Sequence, residues 1–167
     1  RAVSQLERVK MLAARLFRDR WVVAYVLLRL ALAGIFIAAS ADKILHPQDF
    51  AAVVRDYRIL PPDLVNLTAI VLPWLELALG ILLLAGRMRL GTLLLVNVLL
   101  LNFLGALVMN LFRGIDVNCG CFSTTGTAPL PMSWYILRDG VFVFMAMGAA
   151  WVYRTRLWQE RGGAQQS

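Results

Sequence analysis

The sequence predicts an all-α integral membrane protein, a bundle of four transmembrane helices. Of its 167 residues, 60% are hydrophobic and only 16% are charged, and the mean hydropathy is +0.69. The charged residues are gathered into short stretches between long uncharged runs, whereas a soluble domain of this size needs a polar exterior. We therefore expect the lipid bilayer to solvate the outer surface of the helices.

Four apolar runs each approach the roughly 20 residues that a helix needs to cross a bilayer. They extend over residues 21–41, 64–85, 90–111 and 134–153. The membrane domain, residues 21–154, then lies between a basic N-terminal tail, residues 1–20, and a C-terminal tail, residues 155–167. Because the N-terminal tail lacks the short apolar stretch and cleavage site of a signal peptide, we expect the first span to stay as an anchor.

The distribution of Lys and Arg predicts that both tails lie in the cytoplasm. One side of the membrane carries eleven of these residues: Arg1, Arg8, Lys10, Arg15, Arg18, Arg20, Arg87, Arg89, Arg154, Arg156 and Arg161. The other side carries four: Lys43, Arg55, Arg58 and Arg113. Since cytoplasmic flanks carry the excess of positive charge, a multi-pass protein of the bacterial inner (plasma) membrane is predicted. The net charge of +7 forms no stripe with interleaved aromatics, so nucleic-acid binding is excluded.

The first outer loop predicts a short amphipathic helix that lies on the membrane surface. Its apolar positions recur at offsets of three and four residues and are Phe50, Val53, Val54 and Tyr57. Charged residues fill the opposite face, and the prolines at 61–62 are expected to close the helix. The alternative is a solvated loop in which this spacing arises by chance.

The two cysteines of the chain, Cys119 and Cys121, lie in the stretch FRGIDVNCGCFSTTG. The predicted topology puts them at the outer end of the third span, on the periplasmic, oxidising side. Two cysteines separated by one glycine can close a small ring, and strain in such a ring favours the dithiol. Thiol–disulfide exchange is therefore the first hypothesis; a static small-loop bridge and a metal site are the alternatives.

The residues around the cysteines give no complete metal site. Zinc usually takes four ligands; His46 is the only histidine of the chain and Asp116 is the carboxylate nearest to the two thiols, so no closed ligand set is evident and we predict no metal. Arg113 would favour a thiolate at Cys119, whereas Asp116 would oppose it. The sequence does not decide between these two effects.

Ionisable residues inside the spans form a second group of candidates, because such groups are costly in hydrocarbon and usually face a partner. Arg29 and Glu76 lie about 10 Å and 14 Å from the cytoplasmic edge if each span is a straight helix. This predicts an Arg29–Glu76 pair, with Asn97 close by. The pair is interpreted as a clip that fixes the helix register; the alternative is a proton or quinone site.

Near the outer face, Asp42 and Lys43 leave the first span while Arg138 and Asp139 enter the fourth. They give two pairs of opposite charge at similar height, and we expect a network beneath the cysteine loop. The network either ties the outer helix ends together, or it tunes the cysteines or binds a partner.

A set of motifs, in order, resembles the MauE-type methylamine utilisation membrane proteins of the DoxX-like group. These are KILHPQDF, YRILPP, AIVLPWLELALGILLLAG, RGIDVNCGCF and SWYILRD, which together cover roughly residues 26–145. The resemblance implies a four-helix membrane bundle that helps to mature a periplasmic enzyme beside a thioredoxin-like partner. Members of the family are linked to methylamine dehydrogenase, whose small subunit is rich in disulfides. The family's cysteine motif falls on Cys119 and Cys121.

The primary hypothesis is a membrane thiol–disulfide protein, a candidate oxidoreductase, that helps a thioredoxin-like extracytoplasmic partner form or correct disulfides in a client. DsbB- and VKOR-like oxidoreductases, whose four-helix architecture looks similar, use two cysteine pairs and a quinone. With a single pair, Cys119–Cys121 either exchanges directly with the partner or reduces a quinone, the one candidate cofactor. A non-enzymatic assembly factor or chaperone and a quinol-linked electron-transfer subunit are the alternatives.

Overall fold

The computed structural model describes residues 2–86, 89–115 and 131–158, and the side chains of 20–86, 90–115 and 131–155. These residues form no β-strand. Their five α-helices are α1 (Ala2–Leu45), α2 (Pro47–Asp56), α3 (Pro62–Ala85), α4 (Arg89–Phe112) and α5 (Met132–Val152), followed by a π-helical turn, Tyr153–Trp158. The predicted all-α class is confirmed.

Four of the helices are long and apolar enough to cross a membrane. The segments concerned are Arg20–Leu45, Pro62–Ala85, Leu90–Phe112 and Met132–Thr155. Large apolar side chains such as Trp74 and Phe144 are exposed on their outer surfaces, as expected where lipid replaces water. The chain is therefore a multi-pass membrane protein with the four spans that the sequence predicts.

The four membrane helices form a closed ring in which α1 contacts α3, α3 contacts α4, α4 contacts α5, and α5 returns to α1. Neighbouring helices run antiparallel: Gly80 of α3 lies beside Ile37 of α1, and Gly86 lies beside Arg29. A Cβ at Gly80 would come within 2.8 Å of Ile37 Cγ1 and 3.3 Å of Ile37 N. Glycine at this position therefore allows the close approach of α1 and α3 and sets their register.

The two ends of the bundle differ. At one end α1 and α4 finish, α3 and α5 begin, and α2 lies across them; we call this the α2 end. The opposite end, the terminal end, carries the aromatic pairs Trp21–Trp151, with ring centroids 6.1 Å apart, and Tyr25–Tyr153, at 5.5 Å. An apolar core that includes Leu32, Leu93 and Ala146 fills the space between the ends.

Helix α2 is the amphipathic helix that the sequence predicts. Phe50 is buried, the other apolar positions are half-buried, and Arg55 and Asp56 are exposed. The apolar face packs against α3 and α1 of its own bundle. The helix ends at Asp56, before the prolines, because Arg58 adopts a left-handed conformation with φ of 49°. Pro61 and Pro62 instead begin α3, where proline lacks only an N–H that would have no helical partner.

Candidate functional site

A buried ion pair between α1 and α3 is the centre of the site. Lys43 Nζ donates to both carboxylate oxygens of Glu76, over 2.6 Å and 2.8 Å, and the two side chains are 2% and 4% exposed. Glu76 lies about 21 Å along α3 from Pro62, within the membrane-spanning segment. Charges at such a depth are tolerated only when they are paired and hydrogen-bonded, as these are.

Two phenylalanine rings enclose the Lys43 ammonium. Its Nζ lies 5.1 Å from the ring centroid of Phe50 and 5.2 Å from that of Phe103. Such rings attract a cation through their negative faces, and they exclude water from it at the same time. Since Phe50 belongs to α2 and Phe103 to α4, the ion pair is in contact with four helices.

The predicted Arg29–Glu76 pair is wrong. The Arg29 guanidinium lies against Gly86, in the turn after α3, and 5.9 Å from the ring centroid of Tyr25. Gly86 is about 15 Å along α3 from Glu76, so Arg29 cannot reach the carboxylate. The sequence predicts similar depths for Arg29 and Glu76 if α1 and α3 cross the same membrane plane at the ends of their apolar runs. The packing of Gly80 on α1 instead shifts the two helices relative to each other along their axes.

Asn97 does not join the ion pair. Its Nδ2 donates to Leu93 O of its own helix, over 2.7 Å. The expected proximity to Arg29 and Glu76 therefore gives no hydrogen bond to either residue among those that the structure describes.

A second ion pair is formed by neighbours on α5. Arg138 donates to Asp139 Oδ1 from Nε over 3.0 Å and from Nη2 over 2.8 Å. The guanidinium lies over the rings of Tyr135 and Phe142, with 5.5 Å and 5.9 Å to the ring centroids. The Asp139 side chain is only 3% exposed, whereas that of Arg138 is 21% exposed.

The two ion pairs meet at a small cavity. Its volume is about 30 Å³, and Lys43, Glu76 and Asp139 all line it, together with Phe103 and Phe142. The structure thus brings together Lys43 and Asp139, two of the four outer charges singled out in the sequence.

Asp42 points to another partner. His46 Nδ1 lies 3.7 Å from Asp42 Oδ1 and 3.3 Å from the Asp42 carbonyl oxygen, near the surface. Lys43 pairs with Glu76, which the expected network of outer charges did not include, so the two neighbouring residues have different partners. The reason is helical geometry, since adjacent residues on a helix point in directions about 100° apart.

Sequence reasoning missed the inward position of Lys43, although a signal was present. Leu32, Phe36 and Ser40 are buried and follow one another at intervals of four residues on α1. Lys43 continues the same stripe after three more residues, so its side chain enters the core. The partner of Lys43 lies on another helix, and no periodicity within α1 could have identified it.

Tyr57, after α2, lies near the Arg138–Asp139 pair, and Arg113, after α4, lies near the end of α2. Burial raises the pKa of the Tyr57 phenol, and the nearby Asp139 carboxylate raises it further, so this group stays protonated at physiological pH. Arg113 Nη1 donates to Arg58 O over 3.1 Å and fixes the end of α2 to the end of α4.

Cys119, Cys121 and Asp116 lie outside the described residues. The chain on either side of their segment does belong to the described part. Ile115 and Met132, at the two flanks, pack into one apolar cluster with Leu107 at the α2 end.

A larger apolar groove lies beside the ion pair. It measures about 360 Å³ between α2, α3 and α4, and its polar lining groups belong to Tyr57, Thr68 and Asn102. Phe50 and Phe103 line this groove and also contact Lys43. The two rings therefore separate the groove from the buried charges.

Comparisons with known proteins agree with the resemblance seen in the sequence. The family model described as "Methylamine utilisation protein MauE" matches residues 21–152. A protein of Paracoccus denitrificans named "Methylamine utilization protein MauE" is 35% identical over 125 residues, which are 74% of this chain and 66% of that protein. A protein of the same name from Methylorubrum extorquens is 33% identical over 134 residues, 79% of this chain and 68% of that protein.

The chain spans about two thirds of the length of these curated relatives. No solved structure matches it significantly. The family model extends over all four membrane helices and the segment that contains Cys119 and Cys121. The chain therefore belongs to the MauE family of methylamine utilisation proteins, and the Lys43–Glu76 pair is a buried feature of this member.

Proposed function

We propose that this protein is a membrane thiol–disulfide protein of methylamine utilisation, with Cys119 and Cys121 as its redox pair. The observation that carries the proposal is the CGC motif, which holds both cysteines of the chain in one segment between α4 and α5. Packing of Ile115 with Met132 supports it, because the two flanks of that segment are held together on one end of the bundle.

The exchange proceeds through a mixed disulfide. A thiolate of a partner dithiol attacks one sulfur of the Cys119–Cys121 bridge, and the other cysteine leaves as a thiolate. The second thiol of the partner then attacks the mixed disulfide. The partner ends as a disulfide, and Cys119 and Cys121 end as thiols, so two electrons and two protons have moved between them. The reverse sequence reduces the partner and corrects a wrong bridge.

The excess of Lys and Arg on one side supports an inner-membrane topology with cytoplasmic tails and a periplasmic CGC motif. On that side the surroundings are oxidising, which a stable bridge requires. The partner is proposed to be a thioredoxin-like extracytoplasmic protein. The client is a disulfide-containing protein of the methylamine dehydrogenase type, as the family resemblance implies.

The apolar groove between α2, α3 and α4 favours a second candidate function, quinol-linked electron transfer. It lies between α2 and two membrane-spanning helices, has aromatic walls at Phe50 and Phe103, and presents hydrogen-bonding groups at Tyr57, Thr68 and Asn102. A quinone there would oxidise the Cys119–Cys121 dithiol: both electrons and both protons would pass to the quinone, giving a disulfide and a quinol.

The deciding experiment is the reduction potential of Cys119–Cys121, measured by thiol labelling of membranes equilibrated in graded dithiol buffers. We expect a value well above about −300 mV, the usual ceiling for structural bridges. A bridge that resists reduction, or thiols that never oxidise, would refute the exchange role and favour a non-enzymatic assembly factor.

Variants separate the candidates further. Cys121→Ser should trap a mixed disulfide with the partner through Cys119, whereas the double variant Cys119→Ser/Cys121→Ser should trap none. An assembly factor would keep its function with serine at both positions. Quinone that co-purifies with the protein, and is displaced by Phe103→Trp in the groove, would support the second candidate.

A further inference from the structure

The apolar groove between α2, α3 and α4 extends from the α2 end of the bundle into its lipid-facing part. Tyr57, Ile59 and Leu60, in the link between α2 and α3, line one end of it. Asn102 also lines it and lies on α4 about 15 Å from Phe112, where that helix ends. Ile59, Leu60 and Asn102 are exposed, so an apolar molecule can enter the groove sideways from the bilayer.

Two arginines stand at the end of the groove that lies nearest the membrane surface. Arg58 is placed between Tyr57 and Ile59, which both line the groove. Arg113 Nη1 donates to Arg58 O over 3.1 Å and to Tyr57 O over 3.5 Å, so its guanidinium lies on the same link. Both arginines are exposed, and neither forms an ion pair within the described part of the chain. Two guanidinium groups are therefore available to an anion where the apolar groove meets water.

We propose that the groove holds an acyl chain of an anionic membrane phospholipid, whose phosphate is bound by Arg58 and Arg113. Guanidinium groups bind phosphate oxygens through charge-assisted hydrogen bonds, and basic pockets beside membrane helices bind anionic lipid headgroups. The groove volume of about 360 Å³ lies within the ~300–1,000 Å³ that is usual for ligand pockets. This binding role goes beyond the thiol–disulfide exchange proposed above.

The charge at the mouth of the groove selects an anionic phospholipid among the apolar molecules of a membrane. Lipid tails are as apolar as the groove, so the fit of a chain alone favours no particular molecule. A quinone carries no anionic group and would leave Arg58 and Arg113 without a counter-ion. A phosphate at the same place balances their charge while its chain fills the groove.

The polar groups of the groove suit the ester carbonyls that follow the phosphate in such a lipid. Thr68 lies on α3 about 9 Å from Pro62, between the mouth and Asn102, and its hydroxyl can donate to a carbonyl oxygen. Asn102 Nδ2 donates to Val98 O over 2.8 Å, which leaves the second N–H of this amide for the lipid.

The test is native mass spectrometry of the full chain, extracted from bilayers that contain equal amounts of phosphatidylglycerol and phosphatidylcholine. We expect the protein to retain phosphatidylglycerol in preference to phosphatidylcholine. Arg58→Gln should weaken this retention roughly fivefold, which corresponds to about 1 kcal/mol per arginine. The variant keeps the Arg58 carbonyl that Arg113 binds, so α2 should stay in place. Arg20→Gln, at an exposed position of the terminal end, is the matched control and should change nothing.

A second pair of variants tests the groove itself. Ala106→Phe places a ring inside the groove and should abolish the retention, whereas Ala38→Phe, on the exposed surface of α1, should keep it. Where Ala106→Phe does not fold, Ala106→Leu should weaken the retention.

Three results would overturn the inference. They are equal retention of the two lipids, equal losses in Arg58→Gln and Arg20→Gln, and unchanged retention after the groove is filled. A quinone recovered in place of the phospholipid would also overturn it and would support the second candidate function. The Cys119→Ser/Cys121→Ser variant should retain the lipid as the unmodified chain does, because the site lies apart from the exchange chemistry.

Discussion

The two ends of the bundle handle a basic residue inside a membrane helix in different ways. At the terminal end, Arg29 lies against the Gly86 turn and the Tyr25 ring. At the α2 end, Lys43 is bonded to a carboxylate, enclosed by two phenylalanine rings, and placed on a cavity with a second acid. Both buried acids, Glu76 and Asp139, thus lie beside Lys43 and not beside Arg29, and the α2 end receives both flanks of the CGC segment.

Depth in the membrane does not by itself decide how a charge is accommodated. The Arg29 guanidinium lies at the turn after α3, where backbone groups and the Tyr25 ring are near. Lys43 points into the bundle, where only a buried acid can balance it. Four sets of variants can test this contrast between the two ends.

Glu76→Gln should lower the free energy of unfolding by about 3–5 kcal/mol, because it leaves the Lys43 charge buried without a counter-ion. Thermal unfolding in detergent or lipid would measure the loss. Lys43→Met/Glu76→Leu, which removes both charges, should recover most of it. Arg29→Met at the terminal end should cost clearly less, since the described residues give Arg29 no ion pair to break; an equal cost would overturn the contrast between the ends.

Gly86→Ala should destabilise the terminal end by about 1–2 kcal/mol, because its φ of 67° disfavours any residue with a Cβ. The new methyl group would also collide with the Arg29 guanidinium. Gly91→Ala is the matched control, since a Cβ at Gly91 meets nothing within 4 Å and lies on a helix. Equal melting temperatures for the two variants would contradict the placement of Arg29.

Phe103→Leu should cost about 0.5–2 kcal/mol, because it removes one of the two rings that stabilise the Lys43 ammonium. The comparison is with Phe144→Leu, whose ring is 79% exposed on the lipid-facing surface. The same unfolding measurement applies, and it should give a change near zero for Phe144→Leu. If both variants behaved alike, the Phe103 ring would not stabilise the Lys43 ammonium.

Arg113→Ala should have the smallest effect, confined to α2. Loss of the hydrogen bond from Arg113 to Arg58 O should speed amide hydrogen exchange in α2 without a measurable change in the exchange of α3. Arg55→Ala, on the exposed face of α2, serves as the control and should leave exchange unchanged. Unaltered exchange in Arg113→Ala would mean that apolar packing alone holds α2 in place.

Much of the α2 end could be predicted from sequence because the signals there are local. The period of Phe50 and its apolar neighbours predicts α2, and that helix is present. The left-handed turn at Arg58 could not be predicted, because the prolines that follow offered a stronger signal for the helix end. The cysteine segment is known from the sequence alone and remains the basis of the proposed function.

The fold class and the number of membrane spans follow from the amino-acid sequence, because hydrophobic runs of about 20 residues depend only on neighbours along the chain. The pairing of Glu76 with Lys43, and not with Arg29, is evident only from the packing of the helices. The reason is that the choice depends on the register between α1 and α3, which the contact of Gly80 with Ile37 sets across two helices. Counting residues within one helix carries no information about that offset.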